Sequence, residues 1–254
     1  MSTKEEQIDP LLPTEKDGLH SVGGGDTTVY IQVGEEFMKH FKDLVNLQPN
    51  ETVLDIGSGT GRIARPLASF LKHGQYHGMD IVSTSIDWCN KTYAQHAPNF
   101  KFHYLDAYNS MYNPTGKHLS SEYRFPFEDN TFDFIFLTSV FTHMLPADME
   151  NYTREISRLL KTGGRCLITY FINNDDSLRR IKAGTTRPEF RYELGECLID
   201  NQSVPEAAIC YKEDYIRQLY QSCGLKISDP IKFGAWSGRP DFLSFQDIII
   251  AHKS

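Results

Sequence analysis

The 254-residue sequence contains no run near the roughly 18 to 20 uninterrupted apolar residues that a membrane-spanning helix requires, so no span is expected. Its first stretch, Met1 to Lys16, is polar, acidic and proline-containing, and lacks the basic-then-apolar layout of a secretory signal. Cysteine is sparse. Cys89, Cys166, Cys197, Cys210 and Cys223 are odd in number, scattered and free of any C-x-x-C pair, a pattern of reduced thiols and not of a zinc site or disulfide framework. A cytoplasmic location is therefore expected. An excess of positive charge is also missing: 26 Lys and Arg stand against 33 Asp and Glu, a net charge of -7, which argues against a nucleic-acid backbone as the main partner.

What is present suits one α/β domain with an elaboration: 40% hydrophobic and 23% charged residues are ordinary for a globular chain of this length. The most informative stretch is Thr52-Val53-Leu54-Asp55-Ile56-Gly57-Ser58-Gly59-Thr60-Gly61-Arg62-Ile63-Ala64. A short apolar run turns through three alternate glycines and resumes at helical spacing, as a buried strand, tight loop and helix would. Glycine serves where backbone must approach a ligand or take positive φ, and the following helix start offers free N–H groups. A dinucleotide fingerprint would place its third glycine where Arg62 stands. With this glycine spacing and the preceding Asp55, the stretch resembles motif I of the class I S-adenosylmethionine-dependent methyltransferases. The run Pro126 to Met144, with its Phe132-Asp133 turn feeding an apolar strand and then His143, is similar to the same family, as is Glu155 to Phe171.

The resemblance implies a doubly wound seven-stranded α/β sheet of order 3-2-1-4-5-7-6, with the last strand antiparallel and a small helical cap. It implies a domain over 48–254 with a cap insertion at about 173–211, preceded at 1–47 by a flexible leader and a helical lid. Met1 to His20, with few apolar residues, reads as the loosely ordered part, and Gly23 to Gly25 as a lid hinge or a plain linker. Tyr30 to Leu47 carries the helical stripe.

It also implies the site. Cofactor contacts fall on Asp55, Gly57, Ser58, Gly59 and Gly61, on Asp80 and Ile81 after the second strand, on Asp106 and Ala107 after the third, and on Thr138 after the fourth. Asp80 follows Asp55 by about 25 residues, where a carboxylate accepts from both hydroxyls of a ribose; a helix cap beside Ser83 to Ser85 is the competing reading. Asp106 would meet the adenine amine. His143 is the candidate catalytic base, since an imidazole titrates near pH 6.5, and orienting the acceptor is its other role. Tyr108 and Tyr112, in a turn-rich insertion from Tyr108 to Phe125, are candidate acceptor contacts, and Trp236 or Arg239 reach the same side in one reading. Arg179, Arg180, Lys182, Arg187 and Arg191 in the cap suit an anionic acceptor or merely a solvated face.

The implied cofactor is S-adenosylmethionine, released as S-adenosylhomocysteine, with no metal expected. The implied reaction is methyl transfer to an O, N or C atom of a small-molecule acceptor. A protein acceptor stays open, as does assembly as monomer or homodimer. The alternatives are a non-catalytic subunit that kept the fold, and an NAD-dependent oxidoreductase.

Overall fold

The structure, a computed structural model, describes residues 9–17 and 26–254. Seven strands form the central sheet: β1 (Thr52–Ile56), β2 (Gln75–Asp80), β3 (Phe100–Tyr104), β4 (Phe132–Leu137), β5 (Leu160–Tyr170), β6 (Leu225–Ile227) and β7 (Asp247–Lys253). Their order is β3-β2-β1-β4-β5-β7-β6. Strands β1 to β5 pair in parallel, and β7 runs antiparallel to both β5 and β6. The expected order and antiparallel last strand are thus present.

Residues alternate across the sheet, and the two faces bury different neighbours. Leu54, Ile56, Ile135 and Ile168 face α4 (Pro146–Leu159) and α6 (Glu213–Ser222) through Met149, Ile156, Ile216 and Tyr220. Val53, Phe134, Phe136 and Leu167 face α1 (Thr27–Val45), α2 (Ala64–Phe70) and α3 (Ser83–His96). Strands covered on both faces read as continuous apolar runs, which is why β1 and β4 were legible. In α1 the helical stripe includes Phe37, Phe41 and Val45, and the fully buried Phe41 ring meets Phe134 and Phe136 at 5.0 and 4.6 Å. Burial of one such ring stabilises by about 1.5–3 kcal/mol. The side chain of Asp26 caps the helix by accepting from Val29 N at 2.8 Å.

Three elements differ from expectation. Within the expected loose leader, Asp9 pairs with Arg65 at 3.0 Å and a short turn at Glu15–Asp17 rests against α3; the triplet Gly23 to Gly25 lies outside the described residues. The sequence predicts a helix from Pro146 to Leu160 that Gly163 and Gly164 terminate; the helix ends at Leu159 and the glycines come later. They lie inside β5, where Gly163 takes φ +78 beside an irregular register with β4. The expected small helical cap is only partly helical: α5 (Asp175–Lys182) is accompanied by a sheet of four short strands, in the order 172–173, 209–212, 197–199, 192–194. Leu198 and Cys210 pack into a small core with Phe171, Phe190 and Trp236, while Cys197, Ile199, Ile209 and Tyr211 join the main core on the opposite face. Pairing between these short runs, and not helical periodicity, decides that segment.

Candidate active site

The loop after β1 is held by main-chain bonds and built from left-handed residues. Gly57 N and Ser58 N donate to Met79 O at 2.7 and 2.9 Å, and Gly57 and Gly59 have φ of +84 and +52. A Cβ on Gly57 would overlap Val140 of the loop after β4, so the close approach itself requires glycine. Three hydroxyl and thiol groups clasp the loop from behind. Tyr30 of α1 donates to Thr60 O at 2.8 Å, Tyr93 to Gly61 O at 3.2 Å and Cys89 to Gly59 O at 3.6 Å.

Two carboxylates border this loop. Asp55, 2% exposed, accepts from Tyr76 Oη at 2.6 Å through Oδ2, while Oδ1 is buried without a partner. Burial, reinforced by the charge of Asp80, pushes its carboxyl up to about 7, although the Tyr76 bond and Arg62 act the other way. Asp80 accepts from Gly59 N at 2.7 Å and from Val82 N at 2.8 Å, so it latches the glycine loop and also turns the chain into α3. Burial raises its pKa, and the backbone N–H groups oppose that rise.

These residues open onto a cavity of about 300 Å³. Of the site residues expected from the sequence, Asp55, Gly57, Ser58, Gly59, Asp80, Ile81, Thr138 and His143 line it. Gly61 does not; its Cα faces the Tyr93 ring, where a Cβ would sit 2.9 Å from the hydroxyl. Asp106 and Ala107 are also off the wall. Asp106 pairs with Lys117 at 3.2 Å and accepts from Tyr104 at 3.3 Å, while the neighbouring Leu105 lines the cavity. Of the two insertion tyrosines, Tyr112 is on the wall and Tyr108 is exposed outside it.

The cap arginines are elsewhere. Arg179 and Arg180 pair with Asp176, Arg187 and Arg191 with Glu189, and Arg239 pairs with Asp176 while stacking on Phe233 at 4.4 Å. Trp236 is buried and donates to Asp247 at 2.8 Å. Their roles here are in packing and surface ion pairs.

Several wall residues were not anticipated. Arg62 is the main one: it lines the cavity amid the charges of Asp55 and Glu36 and the phenol of Tyr30, with burial lowering its pKa. A cation directly after the glycine loop was its signal in the sequence. Asn109, Ser120 and Tyr152 come from the post-β3 insertion and α4. Ser139 sits at φ +58, with its N–H on Thr169 at 2.8 Å and its hydroxyl on Gln246 at 3.2 Å.

On the far wall, His143 closes a short 3-10 turn (Phe141–His143). Its Nδ1 lies 2.9 Å from the main-chain oxygen of Glu206, and its ring meets Tyr112 edge-on at 5.8 Å. Burial lowers the imidazole pKa, partly offset by the carbonyls of Glu206 and Ala207 and the Glu206 charge. Neutral imidazole therefore predominates near pH 7. Among the described residues, no group of three or more His, Cys, Asp or Glu is arranged to hold a metal ion.

The wall chemistry fits S-adenosylmethionine. The buried Asp55 Oδ1 and Ser58 Oγ have no partner in the protein, and a ligand carrying an ammonium and hydroxyls supplies the missing donors. Leu105, Ile81 and Val82 offer an apolar slot beside Asp80.

Fold and site together define a nucleotide-cofactor α/β domain of the methyltransferase type. Residues 54–168, a little under half of the chain, match the family described as "Methyltransferase domain", the same stretch that carries the resemblance to the class I S-adenosylmethionine-dependent methyltransferases. It is 30% identical to phosphoethanolamine N-methyltransferase 2 of Caenorhabditis elegans over 139 residues, 54% of this chain and 28% of that one. The chain spans 25% to 30% of the length of the curated relatives it matches. Among solved structures, a SAM-dependent methyltransferase from Aquifex aeolicus superposes with TM-score 0.57 at 15% identity, covering 98% of this chain and 100% of that one. The Burkholderia thailandensis 1,6-didemethyltoxoflavin-N1-methyltransferase, solved with its substrate and S-adenosylhomocysteine, gives 0.55 at 14% identity, covering 90% and 80%. At such identities the likeness concerns the fold.

Proposed function

We propose that this chain transfers the methyl group of S-adenosylmethionine to an oxygen, nitrogen or carbon atom of a small-molecule acceptor. One observation carries the reading: a single cavity joins the glycine loop, Asp55 and Asp80 on one wall to His143, Tyr112 and Asn109 on the other. When bound, the cofactor supplies an electrophilic methyl on a sulfonium.

The residues act as follows. Asp55 Oδ1 accepts from the cofactor's ammonium, and Arg62 pairs with its carboxylate. Asp80 retains a free lone pair on each oxygen for the ribose hydroxyls. Thr138 and the strained Ser139 turn border the reacting centre. His143 takes a proton from the acceptor through Nε2, and Tyr112, Asn109 and Ser120 orient the acceptor. The post-β3 insertion borders the cavity through Asn109, Tyr112 and Ser120, and alignment of the two reactants supplies the rate gain. A cavity of about 300 Å³ favours a small acceptor over a protein segment. A cytoplasmic location accords with five free cysteines. Among the described residues, no helix is long and apolar enough to cross a membrane.

The test is calorimetric titration with S-adenosylmethionine, S-adenosylhomocysteine and NAD, followed by S-adenosylhomocysteine formation over a panel of amines and hydroxyl compounds. Binding of NAD alone defeats the proposal; binding of the methyl donor without turnover over the panel makes the chain a binding subunit.

A further inference from the structure

The cap meets the catalytic wall at one buried side chain. Glu206, 8% exposed, lies in the 3-10 turn Pro205–Ala207. Its carboxylate accepts from Asn109 Nδ2 at 3.0 Å and from the Ser110 hydroxyl, both in the insertion after β3. Its main-chain oxygen faces His143 Nδ1. A carbonyl oxygen only accepts, so Nδ1 must carry the hydrogen, and the lone pair of the neutral ring is then on Nε2.

The same carboxylate also fixes what lies against the ring. Asn109, held by Glu206, contacts the main-chain oxygen of His143 at 3.4 Å and accepts from Met111 N and Tyr112 N at 3.1 and 3.0 Å. That turn carries the Tyr112 ring to the edge of the imidazole. Three distant pieces of chain are thereby locked around one histidine: the post-β4 turn, the post-β3 insertion and the cap.

We infer that Glu206 is a positioning residue for His143, selecting the Nδ1–H tautomer and its orientation so that Nε2 is the proton-accepting atom. This rests on the reading of His143 as the base. The groups facing the ring are Glu206 and Ala207 from the cap and Tyr112 from the insertion, with Tyr152 of α4 on the same cavity wall; Asp148 of α4 meets the charge of Glu206, and burial raises its pKa. Tyr211 of the cap sheet donates to Met144 O beside it.

The experiment follows the His143 imidazole nitrogens by nitrogen-15 NMR across a pH titration in the full chain, for wild type, Glu206→Ala and Glu206→Gln, with S-adenosylhomocysteine affinity as the check on folding. Wild type shows one tautomer, protonated at Nδ1. Glu206→Ala loses that uniqueness and shows both tautomers. Glu206→Gln keeps the single tautomer, because the amide still accepts from Asn109, but its titration midpoint moves down with loss of the carboxylate charge. A single tautomer in Glu206→Ala, or an unmoved midpoint in Glu206→Gln, overturns the inference, and the second result decides even if the alanine variant does not fold. His143→Asn tests the base reading separately, through S-adenosylhomocysteine formation: full turnover there removes the base and leaves the tautomer result to stand by itself.

Discussion

Asp80 Oδ2 accepts from the Gly59 main-chain N–H at 2.7 Å, so the acid that ends β2 also holds the glycine loop that follows β1. Helix entry, posed as the rival of ribose binding, does not exclude it: Oδ1 turns the chain toward α3 through Val82, and each oxygen, accepting one backbone N–H, keeps a further lone pair at the cavity wall. Asp80→Ala is expected to weaken S-adenosylhomocysteine binding by about 1.5–3 kcal/mol, the scale of hydrogen bonds to a charged group. Calorimetry measures it, and an unchanged affinity means the ribose sits elsewhere.

Asp55 makes binding pH-dependent. Its carboxyl, ordinarily near 3.8, is pushed up to about 7 in the folded chain. The folded state therefore holds the proton more tightly, and this group's contribution to stability is present below about 3.8 and lost as pH rises through about 7. A cofactor ammonium prefers the ionised form. Affinity for S-adenosylhomocysteine should rise with pH toward 7, by at most about tenfold per unit for one proton, and level off above it. Calorimetry in buffers of different ionisation enthalpy should detect a proton released near pH 6, and Asp55→Asn should abolish that release. Equal proton release by the variant would remove Asp55 from the cofactor site.

Gly57 is constrained twice, by φ +84 and by Val140. Gly57→Ala combines a left-handed penalty of roughly 1–2 kcal/mol with a steric overlap. Adding Val140→Ala relieves only the overlap. The single variant should lose most cofactor affinity and the double variant should regain part of it; no recovery at all would show that backbone strain alone is responsible.

How much of this was legible follows from where each feature is encoded. The glycine loop, Asp80 and β4 lie in short contiguous stretches whose pattern carries the chemistry, and the order of strands in the sheet came with the family resemblance that those stretches carry. The cap sheet was not legible, because strands of three residues such as 192–194 form only against their partners. Asn109 and Glu206 are 97 residues apart, and no local spacing announces their bond. Asp106 is the opposite case: it follows β3 closely, as the sequence suggests, but Lys117 and Tyr104 engage its carboxylate outside the cavity.

Asp247 ties cap to sheet. Its buried carboxylate accepts from Ile172 N at 2.7 Å, Gly234 N at 2.6 Å and Trp236 Nε1 at 2.8 Å, and burial raises its pKa to about 7 despite those donors. Removing it strands three buried donors, each costing about 1–3 kcal/mol. Asp247→Ala should thus lose about 3 kcal/mol or more, a fall in Tm of about 6–12 °C at this chain size. Thermal melting reads it, and a shift under about 2 °C would mean that water or a rearranged loop replaces the acceptor.

His143 separates binding from chemistry. It lines the cavity opposite the glycine loop, and burial holds its pKa below the ordinary imidazole value of 6.5. Its basic form is then present down to lower pH than in a free histidine, so the rate should fall only on the acid side of 6.5. His143→Ala should cut S-adenosylhomocysteine formation by about 10²- to 10⁴-fold, the usual range for a lost general base, with cofactor affinity unchanged. Loss of affinity in parallel with rate would instead make His143 a cofactor contact. A normal rate across the whole pH range would leave the sulfonium to react with an acceptor that needs no base, and the imidazole as a wall residue only.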